Sequence, residues 1–179
     1  MINLLTSLFT VFSTAFAAPH PGAVGSALFD RSNGMSFSNK GFILPSEGTQ
    51  WRLVDSDRFE LVSEKIKADK TTETLTTVLT IHTEELKKKQ DIEQYSKQWL
   101  KEYSQFGFEL LGTKPIGDTR FPALLVDLYH RKSDKQIRQV IRLNEKKVAI
   151  LTCSHQRQGF SEILSQCNQL MEKFSWIEN

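Results

Sequence analysis

The sequence predicts a mixed α/β (α+β) domain: an antiparallel β-sheet with helices on both faces, a three-layer α/β/α sandwich. Three observations predict it. Residues 123–154 read as three strands joined by short polar turns, Ser133-Asp134-Lys135 and Asn144-Glu145-Lys146, and connections that short join antiparallel neighbours. The last of these strands, 148–154, is apolar on both sides, so it needs cover on both. One stretch before this meander and one after it carry apolar residues at helical spacing, and a helix on each face supplies the cover.

The bulk numbers agree with one folded domain. The chain has 179 residues, 39% apolar and 25% charged, which is ordinary for a globular protein and wrong for disorder. Its 23 basic and 21 acidic residues leave a net charge of +2. That balance argues against nucleic acid or acidic lipid as a default partner.

The first 17 residues hold no charged side chain, and Leu4 to Phe16 is an apolar run broken only by Ser and Thr. Ala15-Phe16-Ala17 then supplies the small residues that a signal peptidase reads. Residues 1–17 are therefore expected to be a secretory signal, although Met1 to Asn3 lacks the usual Lys or Arg. The competing readings are a buried helix or a retained anchor, and for an anchor the run is short against the roughly 20 residues of a span. No Cys follows the Ala-x-Ala site, which argues against a lipid anchor, and no second stretch reaches membrane length. Residues 18–35 are punctuated by Pro19, Pro21, Gly22, Gly25 and Gly34 and are expected to be a flexible tether, disordered before about Ser36. The folded domain is expected over 36–179.

Within the domain, 36–44 ends in Phe42, Ile43 and Leu44 before Pro45 and reads as one strand. Extended structure resumes at 51–54 after a loop at 46–50. Residues 59–66 place Phe59, Leu61 and Ser63 on one side, and 68–73 is turn-like. The stretch 74–83 is rich in β-branched residues, with Leu75, Thr77, Leu79 and Ile81 on one face. After a charged crossing at 84–90, Asp91 can cap a helix with Gln94 three residues on. Ile92, Tyr95, Trp99, Tyr103 and Phe106 form its apolar stripe, and Gly107 stands where a left-handed C′ residue belongs. Core packing accounts for this aromatic stripe better than a ligand box does. Strands are expected at 108–111, 123–131, 137–143 and 148–154. In the third, Ile137, Gln139, Ile141 and Leu143 alternate with Arg138, Val140 and Arg142. The last helix, near 161–174, carries Ile163, Cys167, Leu170 and Phe174 at steps of 4, 3 and 4.

From about Ser36 to Trp176 the chain resembles the PsbP/DcrB-like family. That family groups the extrinsic photosystem protein PsbP, the periplasmic protein DcrB and a Ran-binding nuclear import factor. The resemblance rests on Gly41-Phe42-Ile43-Leu44-Pro45 followed by Trp51, on the helix around Tyr95 to Tyr103, and on Phe121-Pro122-Ala123 leading into the meander. It rests also on Val148 to Cys153 with the closing Phe174-Ser175-Trp176. A Gly is commoner in the family where this chain has Phe121. The resemblance implies a PsbP-like fold and a noncatalytic binding or assembly factor. Because one fold hosts many activities, it implies little more.

The candidate chemistry is thin. Cys153 and Cys167 are the two cysteines. In an oxidising compartment an even count favours a disulfide. Cys153 shares strand parity with Ala149 and Leu151, Cys167 lies on the apolar stripe of the next helix, and the chain turns through Gly159 between them. Two buried thiols are the alternative; a zinc site is not, because partner ligands are missing. His20, His82, His130 and His155 lack any His-x-His or His-x-x-x-His spacing, so no metal site is expected. Ser154 and His155 are adjacent on a strand and point to opposite faces, which counts against a nucleophile–base pair. The run Glu84, Glu85, Lys87, Lys88 and Lys89 is a solvated loop or a docking surface. No glycine-rich phosphate loop occurs, and no cofactor is expected.

The leading expectation is an exported, noncatalytic binding or assembly module of the periplasm or secreted space with a protein partner. The alternative is a secreted enzyme, a hydrolase with a site assembled from distant residues. A third reading, a structural or envelope-stress protein, would show an exposed apolar patch of several hundred Å2.

Overall fold

The computed structural model describes residues 28–30, 34–37, 41–45, 51–55, 60–63 and 77–177. The expected signal at 1–17, the part of the tether at 18–27 with His20, the loop at 46–50, Phe59, the turn at 68–73 and Leu75 of the expected strand 74–83 lie outside the described residues.

A seven-stranded antiparallel sheet forms the middle layer. Its order is β4 (Trp51–Asp55), β5 (Glu60–Ser63), β6 (Val78–Glu85), β10 (Lys147–Gln156), β9 (Lys135–Asn144), β8 (Pro122–His130), β7 (Phe108–Gly117). The expected meander is β8–β9–β10. Its hairpin turns carry Asp134 at φ 49° and Glu145 at φ 54°, the left-handed geometry that Asp tolerates better than most residues. β10 is buried nearly continuously from Val148 to Leu151 because both of its faces are covered.

Helices α1 (Ile92–Gln105) and α2 (Phe160–Glu172) lie on opposite faces of this sheet. Asp91 caps α1 by accepting from the Gln94 backbone N–H at 2.7 Å. The helix ends at Phe106, and Gly107 reverses the chain at φ +82°, where a side chain would add strain. Tyr95 and Tyr103 from the stripe bury against Leu124, Val126, Leu128, Ile141, Leu143, Val148 and Ile150. On the other face Ile163, Cys167, Leu170 and Met171 of α2 bury against Leu79, Ile81, Ala123, Val140, Ala149, Leu151 and Cys153. The helices are offset. α1 packs on the outer strands β7, β8 and β9, whereas α2 packs on β10.

The N-terminal part differs from expectation. Leu28–Asp30 (β1) and Gly34–Phe37 (β2) are paired strands, so the stretch expected as a flexible tether contains strand pairing. The stretch 36–44 is not one strand. β2 pairs with β3 (Phe42–Leu44) as a hairpin, with Phe37 opposite Phe42 and Gly41 at φ +76° between them. With β11 (Ser175–Trp176), which pairs to β3, these strands make a second, four-stranded sheet. The expected single sheet thus gains a small companion on the α2 side. Phe42, Leu44, Phe174 and Trp176 share the core of that side, and the Phe42 and Phe174 rings stack with centroids 5.1 Å apart. The strand expected at 108–111 runs on to Gly117. Pro115 is tolerated because β7 is the last strand of the sheet, and an edge strand can turn a missing N–H outward.

Candidate functional site

Cys153 and Cys167 are joined in a disulfide with Cα atoms 6.1 Å apart. Both are fully buried within the α2-side core. The bridge fixes α2 over β10 and leaves the outer strands uncovered on that face. There, β7, β8 and β9 and the flank of α2 enclose a cleft of about 610 Å3.

The cleft is charged at its sides and apolar at its base. Ile116, Leu125, Val140 and Met171 supply the apolar lining. Lys114, Asp127, Arg138, Arg142, Asn168 and Glu172 supply the polar lining. The strand period puts them there: Arg138 and Arg142 alternate with Gln139, Ile141 and Leu143, which face α1, so both arginines point to the α2 side with Val140. Asp127 takes Arg138 in a fork, with Nε to Oδ1 at 2.8 Å and Nη2 to Oδ2 at 2.7 Å. The third donor, Arg138 Nη1, reaches Asn168 Oδ1 on α2 at 3.0 Å. The charge of this guanidinium is matched by Asp127, and the fork gives it a fixed geometry.

Arg142 is less satisfied. Its Nη2 donates to the Met171 carbonyl in the last turn of α2 at 3.1 Å, where unpaired helix carbonyls favour a cation. The guanidinium also lies over the Phe174 ring, 5.6 Å from its centroid. Its Nε is buried without a hydrogen-bond partner. Burial lowers the Arg142 pKa, and nearby Glu172 opposes that shift; an arginine nonetheless remains charged.

The histidines do not converge. His82 is exposed on β6. His130 sits at the end of β8, with Nδ1 2.6 Å from Ser133 Oγ and its ring 4.6 Å from that of Phe108. His155 is buried on the α2 side, and its Nδ1 is 3.1 Å from Thr77 Oγ1. Gly159 lies against this ring, where an added Cβ would come within 2.7 Å of Nε2. Burial lowers the His155 pKa, with Glu162 opposing and Lys135 reinforcing. Ser154 has the opposite parity and faces the α1 side. Among the described residues, no three His, Cys, Asp or Glu side chains are grouped to hold a metal ion. Lys87, Lys88 and Lys89 are solvated, whereas Glu84 accepts from the Tyr95 hydroxyl on the α1 side. Burial, then Glu84, raises the Tyr95 pKa. None of the residues of that charge run lines the cleft.

The cleft residues were not singled out in the sequence. Two signals pointed to them. Arg138 and Arg142 occupy the second face of a strand whose first face is core, and Asp127 stands alone within an apolar strand, which calls for a buried cation.

No family model matches this chain, and no curated protein sequence matches it. Solved structures do. Cyanobacterial PsbP (CyanoP) from Synechocystis sp. PCC 6803 is similar over 89% of this chain and 97% of its own, with 11% identity and a TM-score of 0.51. PA94 from Pseudomonas aeruginosa, a protein of unknown function, is similar over 66% of this chain and 83% of its own, with 18% identity and a TM-score of 0.53. At such identities the likeness concerns the fold, which is PsbP-like.

Proposed function

We propose that this chain is an exported, noncatalytic binding or assembly module that works in the periplasm or secreted space. It engages a protein partner on the α2 side of the sheet. The observation that carries this reading is the lining of the cleft. Its basic groups are guanidinium and ammonium groups over an apolar base. Such groups hold a ligand's charge but are poor at exchanging protons near neutrality. The histidine with a shifted pKa, His155, is engaged with Thr77 beneath Gly159.

Two further observations support the reading. The uncharged apolar start with Ala15-Phe16-Ala17 and the buried bridge between Cys153 and Cys167 both suit an oxidising space outside the cytoplasm. On the edge strand β7, Leu110 and Leu111 are 49% and 52% exposed; Leu110 pairs with Leu128 of the α1-side core. The register shifts between Leu110 and Gly112, so Leu111 is an extra residue in the strand, a bulge of the kind that re-aims side chains. That bulge, Lys114 and Pro115 blunt the edge against strand addition, so a partner would be held through side chains.

The test is made in the native cells. Fractionation with N-terminal sequencing should find a chain beginning at Ala18 in the envelope or secreted fraction. Cross-linking of intact cells should give one discrete adduct. A cytosolic species with Met1 intact would overturn export, and monomer alone after cross-linking would overturn the binding role.

A further inference from the structure

We infer that the cleft beside α2 binds a carboxylate carried on a short apolar body, with Arg142 as its anchor. The inference deepens the proposed binding role and rests on it. The charges in the cleft fix the class of ligand. The charge of Arg138 is matched by Asp127 in a fork, and Asn168 accepts from its Nη1. Lys114, Arg138 and Arg142 against Asp127 and Glu172 leave one positive charge over. One unmatched cation suits a monoanion, and the two resident carboxylates repel a dianion such as phosphate. Arg142 has donor capacity to spare on its two Nη groups, since its side-chain hydrogen bond to protein is the one from Nη2 to the Met171 carbonyl; its partnerless Nε is itself buried and is not offered to the cleft. A planar carboxylate can take a guanidinium edge through both of its oxygens. The apolar base of Ile116, Leu125, Val140 and Met171 suits a hydrocarbon stem. The volume of about 610 Å3 is within the range of small-ligand sites.

A free organic acid and the carboxylate of a partner chain share this chemistry. Calorimetric titration of the oxidised protein separates them, using hexanoate for the first and acetyl-Leu-Ala-Leu with a free C-terminus for the second. Saturable binding of either probe is expected, with inorganic phosphate weaker. Arg142→Gln should weaken binding about tenfold or more, the scale of a lost charged hydrogen bond. Glu172→Gln, at an exposed position, should tighten it by about threefold, the scale of one exposed charge interaction. Lys88→Gln, outside the cleft lining, should change nothing. If Arg142→Gln fails to give a native melting transition, Glu172→Gln carries the test. Neither probe binding, phosphate binding as well as the carboxylates, or an affinity indifferent to these substitutions would overturn the inference. Failure here leaves the cross-linking result in cells untouched, so the two readings fail separately.

Discussion

The two faces of the central sheet are closed by different means. On the α1 face, tyrosines do two jobs at once. The Tyr103 hydroxyl donates to Gln139 Oε1 at 2.9 Å, and Gln139 Nε2 donates to Thr152 Oγ1 at 3.1 Å. A buried polar chain is thereby satisfied beneath an aromatic layer in which Tyr95, Trp99, Tyr103 and Phe108 follow ring to ring. On the α2 face the core is larger and draws on both sheets, the helix is tied covalently, and the outer strands are left open. A short helix placed over the middle of a wide sheet cannot also cover its edge. The difference teaches that the α1 side serves stability, while the α2 side combines stability with an accessible charged cleft.

That comparison can be broken at several points. The largest effect is expected from Phe160→Ala, which empties a fully buried ring from the α2-side core. A loss of about 3–5 kcal/mol is expected in urea melts, and a loss under about 1 kcal/mol would mean that the core of this face is not packed as described. Next is the paired change Cys153→Ala with Cys167→Ala. The residues are 14 apart in sequence, and opening a loop of that size should cost about 3 kcal/mol in the chain-entropy account. Amide exchange should rise first in α2, with α1 and β8–β10 protected longer; uniform loss across the domain would contradict the separate roles of the faces.

On the α1 face, Tyr103→Phe keeps the ring but leaves Gln139 short of a donor. A loss of about 1–2 kcal/mol is expected, read from the same melts, while carboxylate binding at the cleft stays as it was. The smallest effect concerns His155, whose neighbours are Thr77, Glu162, Lys135 and Gly159. Its pKa lies below the ordinary 6.5 in the folded chain. Below that value the unfolded chain takes up the proton first, so stability is full above pH 6.5 and falls as pH drops until the folded-state pKa is passed. His155→Gln should flatten this part of the stability–pH curve, which thermal melts between about pH 7.5 and 5 would reveal as a smaller slope than in the unsubstituted protein; an unchanged slope would contradict it.

The elements that sequence alone exposes are those with a repeating pattern. The stripe from Ile92 to Phe106, the alternation from Ile137 to Leu143 and the doubly apolar 148–154 each repeat enough to declare their type and their buried side. The parity of Cys153 and the stripe position of Cys167 likewise placed the bridge. What escaped has too few residues to repeat. β11 is Ser175–Trp176 alone, and β1 has three residues; β1, β2 and β3 pair as close neighbours in the chain, and β11 joins them from the far C-terminal end. β7 is expected only over 108–111 but runs to Gly117; Gly112 and Pro115 weaken its strand pattern, and its edge position makes Pro115 acceptable. The cleft escaped because Lys114, Asp127, Arg138, Arg142 and Glu172 come from four elements, and no spacing in the chain shows that they meet.

The central claim, that partners meet the α2 side and not the α1 side, is tested most directly by photo-cross-linking in the native cells. One variant carries the photoreactive residue in place of Lys114 at the cleft, and another carries it in place of Lys101 on α1; both positions are exposed. A discrete partner adduct from position 114 and none from position 101 is the predicted result. Adducts from position 101 alone, or equally from both, would contradict it.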